Sequence, residues 1–299
     1  MAIGTANGYN NLPSGNWLPA IYSQKVQKFF RTASVVEDIT NTDYAGEIEA
    51  YGDTVNIIKE PTITVSSYTR GAQIAPQNLA DDQIQMVVDQ ANAFAFKVDD
   101  IEERQAHVNW EALATSSGAY ALKDSYDANV IAAMFAGAGT TTGSDGSGAD
   151  VGFGSSEVDP MDILATAAKN LHALDIPTDN RWFLASPEFY EQLGNASSKL
   201  MDASITGDGT SPLRNGSVVN GLVNGFKLYM TNNFAASSTS NYVKVMFGHM
   251  SSTATANAIA KTEVIRDPDS FSDIVRGLHV FGRKVLRSEA LQARHLLID

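Results

Sequence analysis

The chain has 299 residues, 43% of them hydrophobic, no cysteine and a formal net charge of -13. That length suits one large or two modest domains with a real core. The lack of cysteine excludes disulfides, thiolate metal sites and cysteine nucleophiles and fits a reducing compartment, and the acidic balance argues against a protein whose main task is gripping phosphates.

Residues 1–15 are rich in Gly, Asn and Ala and predict a mobile arm. The opening "MAIGTANGYNNLPSGNWLPA" has no basic start and no apolar run, so it does not read as a signal peptide. No stretch approaches the roughly 20 apolar residues of a membrane helix, and a soluble protein made in the cytoplasm is expected. Residues 17–31 have helical spacing, with Ile21, Val26, Phe29 and Phe30 apolar and Pro19 near the start.

Residues 52–70, "GDTVNIIKEPTITVSSYTR", predict two short strands, one around Val55, Ile57 and Ile58, the other around Ile63 and Val65. Such strands have one apolar side to hide, and the flanking sequence supplies no layer to cover it. After the polar tip "GAQIAPQNLADDQ", Ile84, Met86 and Val88 alternate, and so do Phe94, Phe96 and Val98. Residues 52–98 thus form a long β-rich excursion.

A long helix follows. Asp100 is placed to cap it, with Glu103 as the capping-box partner. Its apolar stripe begins at Ile101, Val108 and Leu113 and continues through Leu122, Tyr126, Val130 and Met134. Gly118 is read as a bend, and Gly137 and Gly139 as the end. About 37 residues make a rod of roughly 55 Å, a spine for other parts. Residues 137–156, "GAGTTTGSDGSGADVGFGSS", read as a flexible linker.

The next block is α/β in mixed order. Asp159 and Pro160 start a helix with Met161, Leu164, Ala168 and Leu171 on one stripe. "RWFLAS" is a short buried strand, and Ser186 and Pro187 open a second helix. Residues 194–217 are a polar loop, Asn-Gly turns fall at Asn220 and Asn224, and "YVKVMFGH" is another strand. "KTEVIRD" and "IVRGLHVFGRKVL" read as long strands, and "EALQARHLLI" as an extended or helical close.

Nothing along this chain assembles a catalytic, cofactor or metal site. His107, His172, His249, His279 and His295 are far apart and lack metal-ligand spacing. "GAGTTTGSDG" lacks the lysine and the feeding strand of a phosphate loop. "DGSGAD" puts Asp150 where a calcium loop needs glycine. The acid pairs Asp81/Asp82, Asp99/Asp100 and Glu102/Glu103 sit side by side rather than across a cleft. The basic run Arg276, Arg283, Lys284, Arg287 and Arg294 reads as solvated or salt-bridged strand ends.

The order of parts is more specific than any motif. "GDTVNI", "YTRG", "FAFKVDDIEERQA", "RWFLASPEFYEQL", "NGFKLYMTNN" and "EVIRDPDSFSDIVRGLHVFGRKVLRSEAL" together make the chain resemble the major capsid proteins of tailed bacteriophages over most of residues 40–292. The resemblance implies an α+β fold with an N-terminal arm (1–45), an extended β-hairpin loop (46–98), a peripheral domain with a long spine helix (99–140 and 258–299) and an axial mixed α/β domain (141–257). It implies a self-assembling icosahedral shell protein, not an enzyme, made in the host cytoplasm and residing in the virion. The implied partners are further copies in pentamers and hexamers, a separate scaffolding protein, a portal protein, a decoration protein and enclosed double-stranded DNA held without sequence-specific binding; no membrane or cofactor is involved. On this reading the hairpin packs on another copy, and Lys59, Tyr68, Arg70, Asp99 and Glu103 are the candidate inter-subunit contacts. Lys59 also lies where some family members form a covalent cross-link, although the sequence shows no partner for one. An encapsulin-type compartment shares the architecture; an α/β enzyme and a β-rich tail or adhesin module are the readings from other classes.

Overall fold

A computed structural model describes residues 34–44, 54–59, 61, 63–71, 73, 76–77, 83–99, 110–195, 197–198 and 222–298. The predicted helix over 17–31, the cap at Asp100, Glu103 and the turn at Asn220 lie outside the described residues.

The central element of the larger sheet is β6, Arg181–Ala185, in which every residue is buried. A continuous apolar run of this kind belongs in a sheet covered on both faces. β7, Lys227–Met230, pairs with it in parallel, and β8, Tyr242–His249, pairs antiparallel. Beyond β8 comes β11, Leu291–Ile298, which also takes the short parallel strands β4, Thr140–Thr142, and β5, Ala149–Val151. Phe183 of β6 is ringed by Phe189, Phe226 and Phe247, with centroids 5.5, 6.1 and 6.0 Å away.

The capping signals work locally as read, with one difference. The Asp159 carboxylate accepts the Met161 N–H at 2.7 Å and starts a helix at Pro160–Ala173 that buries Ile163, Leu164, Ala167 and Leu171. Ser186 precedes the helix Pro187–Leu193, but its side chain makes no capping bond. Asn224 and Gly225 take φ values of 50° and 81°, and the N–H groups of Val223 and Phe226 each donate to the other residue's carbonyl. That is the two-residue turn for which Asn-Gly is favoured.

The spine helix is present over Trp110–Ala136, 27 residues or roughly 40 Å. Tyr126, Val130 and Met134 of the predicted stripe are buried, joined by Ile131. The helix runs through Gly118 without a break. A side chain there would meet the Phe94 ring at 2.8 Å, so the glycine clears room for that ring. The short helix Val36–Ile39 lies against the spine, with Val36 and Ile39 fully buried.

The second sheet has three strands. β10, Ser272–Val285, runs between β3, Gln90–Asp99, and β9, Thr253–Arg266, antiparallel to both. Phe94 faces Gly277 across the β3–β10 ladder, so its ring lies between two glycines, Gly118 and Gly277. An aromatic ring covering a cross-strand glycine compensates for the side chain the strand lacks.

Three expectations need correction. Residues 137–156 are not a free linker: they carry β4 and β5 and are stitched to β11. Their glycines permit close approach, since a side chain at Gly143, φ 81°, would come within 2.5 Å of the Ser147 carbonyl. The closing segment 258–299 does not stay with one sheet, because β11 crosses to the larger sheet and pairs with β8. The partner of the first hairpin strand is not residues 63–65: β1, Thr54–Ile58, pairs with β2, Gln83–Val87, in the register Val55 to Met86 and Ile57 to Ile84. Period-two apolar spacing marks residues able to form a strand; the pairing went to the segment that also buries its apolar side.

Candidate assembly interface

The base of the hairpin is covered by its own chain. Val55, Met86 and Val88 pack with Ala254, Ala256 and Val280 on the face of the three-stranded sheet turned away from the spine helix. Past that base the chain changes character. Ile63 and Val65 are 70% and 92% exposed, and Ile58 and Tyr68 are also exposed. Residues 63–69 belong to no strand or helix. The excursion holds its shape by local bonds: the Thr64 N–H donates to Gln77 Oε1 at 2.9 Å, and the Gly71 N–H to the Tyr68 hydroxyl at 3.4 Å. Gly71 has φ 89°, which suits the turn containing Arg70.

Among the five residues expected at subunit contacts, the structure brings Tyr68 and Arg70 together in this turn. Lys59 lies at the base, lining a cavity of about 410 Å³ with Ile57, Ile84, Tyr44, Leu286 and Arg287. Asp99 ends β3 on a separate element, opposite Ser272. Glu103 lies outside the described residues.

A second exposed surface was missed by the sequence reading. At the outer end of the β9–β10 hairpin, Phe271 is 80% exposed, with Val264 and Ile265 on the adjoining strand. The turn itself is tightly built. Asp267 accepts the Asp269 N–H at 3.0 Å and the Ser270 hydroxyl at 2.7 Å and pairs with Lys97. Arg266 pairs with Asp273 at 3.0 Å and Arg276 with Glu263 at 2.8 Å, and Lys261 also pairs with Glu263. These cations hold the Glu263 carboxyl down at about 2 and lower that of Asp267 as well. The signal lay in "DPDSF", an acid-and-serine turn ending on an aromatic residue, which only a hairpin context exposes.

The polar residues outside these surfaces have structural roles. Arg283 lies 3.7 Å from Asp89, and the Arg294 guanidinium lies over the Phe247 ring at 5.9 Å. With Arg276 on Glu263, two of the five basic residues of the run are in ion pairs, as the salt-bridged reading expects, while Arg294 packs on an aromatic ring. His172 lies against the Arg181 guanidinium, and the His249 Nδ1 accepts the Ser251 N–H at 3.1 Å. His279 packs on Tyr126 and Phe281, and His295 on Phe135. Burial lowers the pKa of His249, His279 and His295. Among the described residues no group of His, Asp and Glu has the arrangement of a metal site, and no helix is long and apolar enough to cross a membrane.

The described residues thus form two packed sheets, a spine helix and a hairpin excursion with exposed apolar residues. A family model described as phage capsid protein matches residues 59–293, and the chain belongs to that family. A solved chain of Mycobacterium phage Che8 is 28% identical, with a TM-score of 0.78 over 94% of this chain and 98% of that one. The capsid of cyanophage P-SCSP1u superposes with a TM-score of 0.73 at 16% identity, covering 97% of this chain and 96% of that chain. A native GTA particle capsid, computed with C5 symmetry, gives 0.65 at 13% identity over 98% and 100%; these last two likenesses show the fold. No curated protein matches the chain. The fold is the α+β major capsid fold, and the chain is a major capsid protein, a structural component of the icosahedral shell of a phage virion. Family membership selects the phage shell over the encapsulin-type compartment.

Proposed function

We propose that each copy builds the pentamers and hexamers of the shell by laying its hairpin excursion on the next copy. The observation that carries this is the contrast within one hairpin: Val55 and Met86 are buried at the base, while Ile63 and Val65 stand exposed beyond it. An exposed apolar finger on a protein that assembles marks an interaction site, and a ring of identical copies repeats one finger-to-body contact around its axis. Lys59, Tyr68 and Arg70 act on the donating side, with Asp99 and Glu103 on the receiving side.

On this reading residues 1–45 are the arm and 46–98 the extended loop. The peripheral domain takes in the spine helix, β10 and most of β9, over 99–140 and from 258 to the end of β10, with β3 entering its sheet from the extended loop. Residues 141–257 form the axial domain, together with β11. A separate scaffolding protein guides assembly, a portal protein occupies one vertex and a decoration protein binds the outer surface. The subunit is made in the host cytoplasm. The net charge of -13 makes the wall weakly repel packaged DNA, so that the DNA slides during filling.

The test is a high-resolution electron-microscopy reconstruction of the assembled shell. Ile63 and Val65 are expected buried against a neighbouring subunit, with Arg70 within about 4 Å of a carboxylate there. An excursion folded back on its own subunit in the shell would overturn the proposal.

A further inference from the structure

The segment 34–41 is fastened at both ends and buries Val36 and Ile39 between them. At its start, the two carboxylate oxygens of Asp127, on the spine helix, accept the Ser34 hydroxyl at 2.8 Å and the Val35 N–H at 3.3 Å. These bonds replace a cap that the short helix Val36–Ile39 lacks, since Val35 supplies none of its own. At its end, the Thr40 hydroxyl bonds Thr255 at 2.9 Å, the Asn41 N–H donates to the Thr253 carbonyl and the Thr255 N–H to the Asn41 carbonyl. Between the two, Val36 and Ile39 enter the core shared by the spine helix and β6, β8, β10 and β11. Eight residues therefore tie the spine helix to β9 at the junction of the two sheets.

The fastening at Asp127 is an unusual choice. The side chain belongs to a residue only 2% exposed, and both of its donors are neutral. Lys123, one turn away, pairs with Glu37 at 3.3 Å and reaches Asp127 only through its field. A buried carboxylate hydrogen-bonded by neutral donors and without a direct ion pair carries a desolvation cost that is offset only in part. A neutral amide of the same shape makes both bonds without that cost, accepting from Val35 and donating to Ser34.

We propose that residues 34–41 are a strap closed onto the spine helix by Asp127, and that the charge of this carboxylate keeps the strap able to open. This goes beyond the shell-forming role: it gives one chain a junction that adapts where the same subunit must fit five-fold and six-fold surroundings. Burial raises the Asp127 carboxyl above its ordinary range, which agrees with this arrangement. The sign follows from linkage. A carboxyl raised in the closed form takes up a proton on closing, so closure is strongest in the ordinary carboxylate range and below, weakens as pH rises from there to the raised value, and is constant above it. The other charged or titratable groups here are Lys123 and Asp124 on the spine helix, Tyr126 beside them, Glu37 and Asp38 on the strap, and His279 from β10 against Tyr126. The raised pKa of Tyr126 and the lowered pKa of His279, both from burial, keep these two neutral at pH 7.

Hydrogen exchange of the full chain, read by mass spectrometry on residues 35–41 and corrected for intrinsic rates, tests the strap from the ordinary carboxylate range at about pH 4 up to about pH 8. The wild type is expected to gain protection in acid. Asp127→Asn is expected to exchange roughly three- to tenfold more slowly than wild type near pH 8, an effect on the order of one hydrogen bond, and to lose the pH dependence. Ser34→Ala is expected to speed exchange in both backgrounds, and His279→Phe to leave the pH dependence in place. The proposal is overturned by faster exchange in Asp127→Asn than in wild type, by protection in the wild type that does not change with pH, or by pH dependence that disappears with His279.

Discussion

In β6 five consecutive residues, Arg181 to Ala185, are buried between two neighbouring strands and two helices. In the hairpin excursion Ile63 and Val65 stand exposed in a stretch that belongs to no strand. Both stretches have strong strand propensity. The difference shows that propensity becomes a strand only where partners and a covering layer exist within the chain. On the proposed reading, where they do not, such residues are left for a neighbouring copy.

Substitutions in the two regions sharpen this contrast. Phe183→Ala, in the ring of four phenylalanines, is expected to cost about 3–5 kcal/mol of subunit stability, measurable by denaturant unfolding of unassembled protein. Gly277→Ala pushes a methyl into the Phe94 ring and is expected to cost about 1–3 kcal/mol, with Phe94→Leu in the same chain recovering part of the loss. The ion pairs of the three-stranded sheet give a smaller, pH-dependent effect. The Glu263 carboxyl is lowered from 4.5 to about 2, so its stabilising contribution is full above about pH 4.5 and is lost as pH falls through about 2. Glu263→Gln is therefore expected to flatten acid unfolding curves in that window and to change them little at neutral pH. Val65→Asp is expected to have the smallest effect on the subunit, within about 0.5 kcal/mol, yet to abolish shell formation in sedimentation. Normal shells from this variant would erase the distinction between the two regions.

Much of the fold is legible residue by residue. Asp159 with Pro160, the stripe from Leu122 to Met134, the alternation of Phe94, Phe96 and Val98, and Asn224-Gly225 all act through neighbours close in sequence. The candidate site is only partly legible. Tyr68 and Arg70 stand out in the sequence as polar residues near the tip of the excursion, whereas Asp127 gave no sign of its contacts, because Ser34 is 93 residues away. The exposed Phe271 depends likewise on β9 and β10 meeting across the turn before it.

The sequence by itself determined the caps, the turns, the helical and two-residue periodicities and the order of parts that places the chain in its family, because each rests on bonds and sterics within a few residues. Only the tertiary structure decided that β1 pairs with residues 83–87 rather than 63–65, that the glycine-rich stretch after the spine helix is stitched to β11, and that β11 leaves the neighbouring strands for the larger sheet. Those choices compare the burial available at distant surfaces, and that quantity exists only once the surfaces have formed.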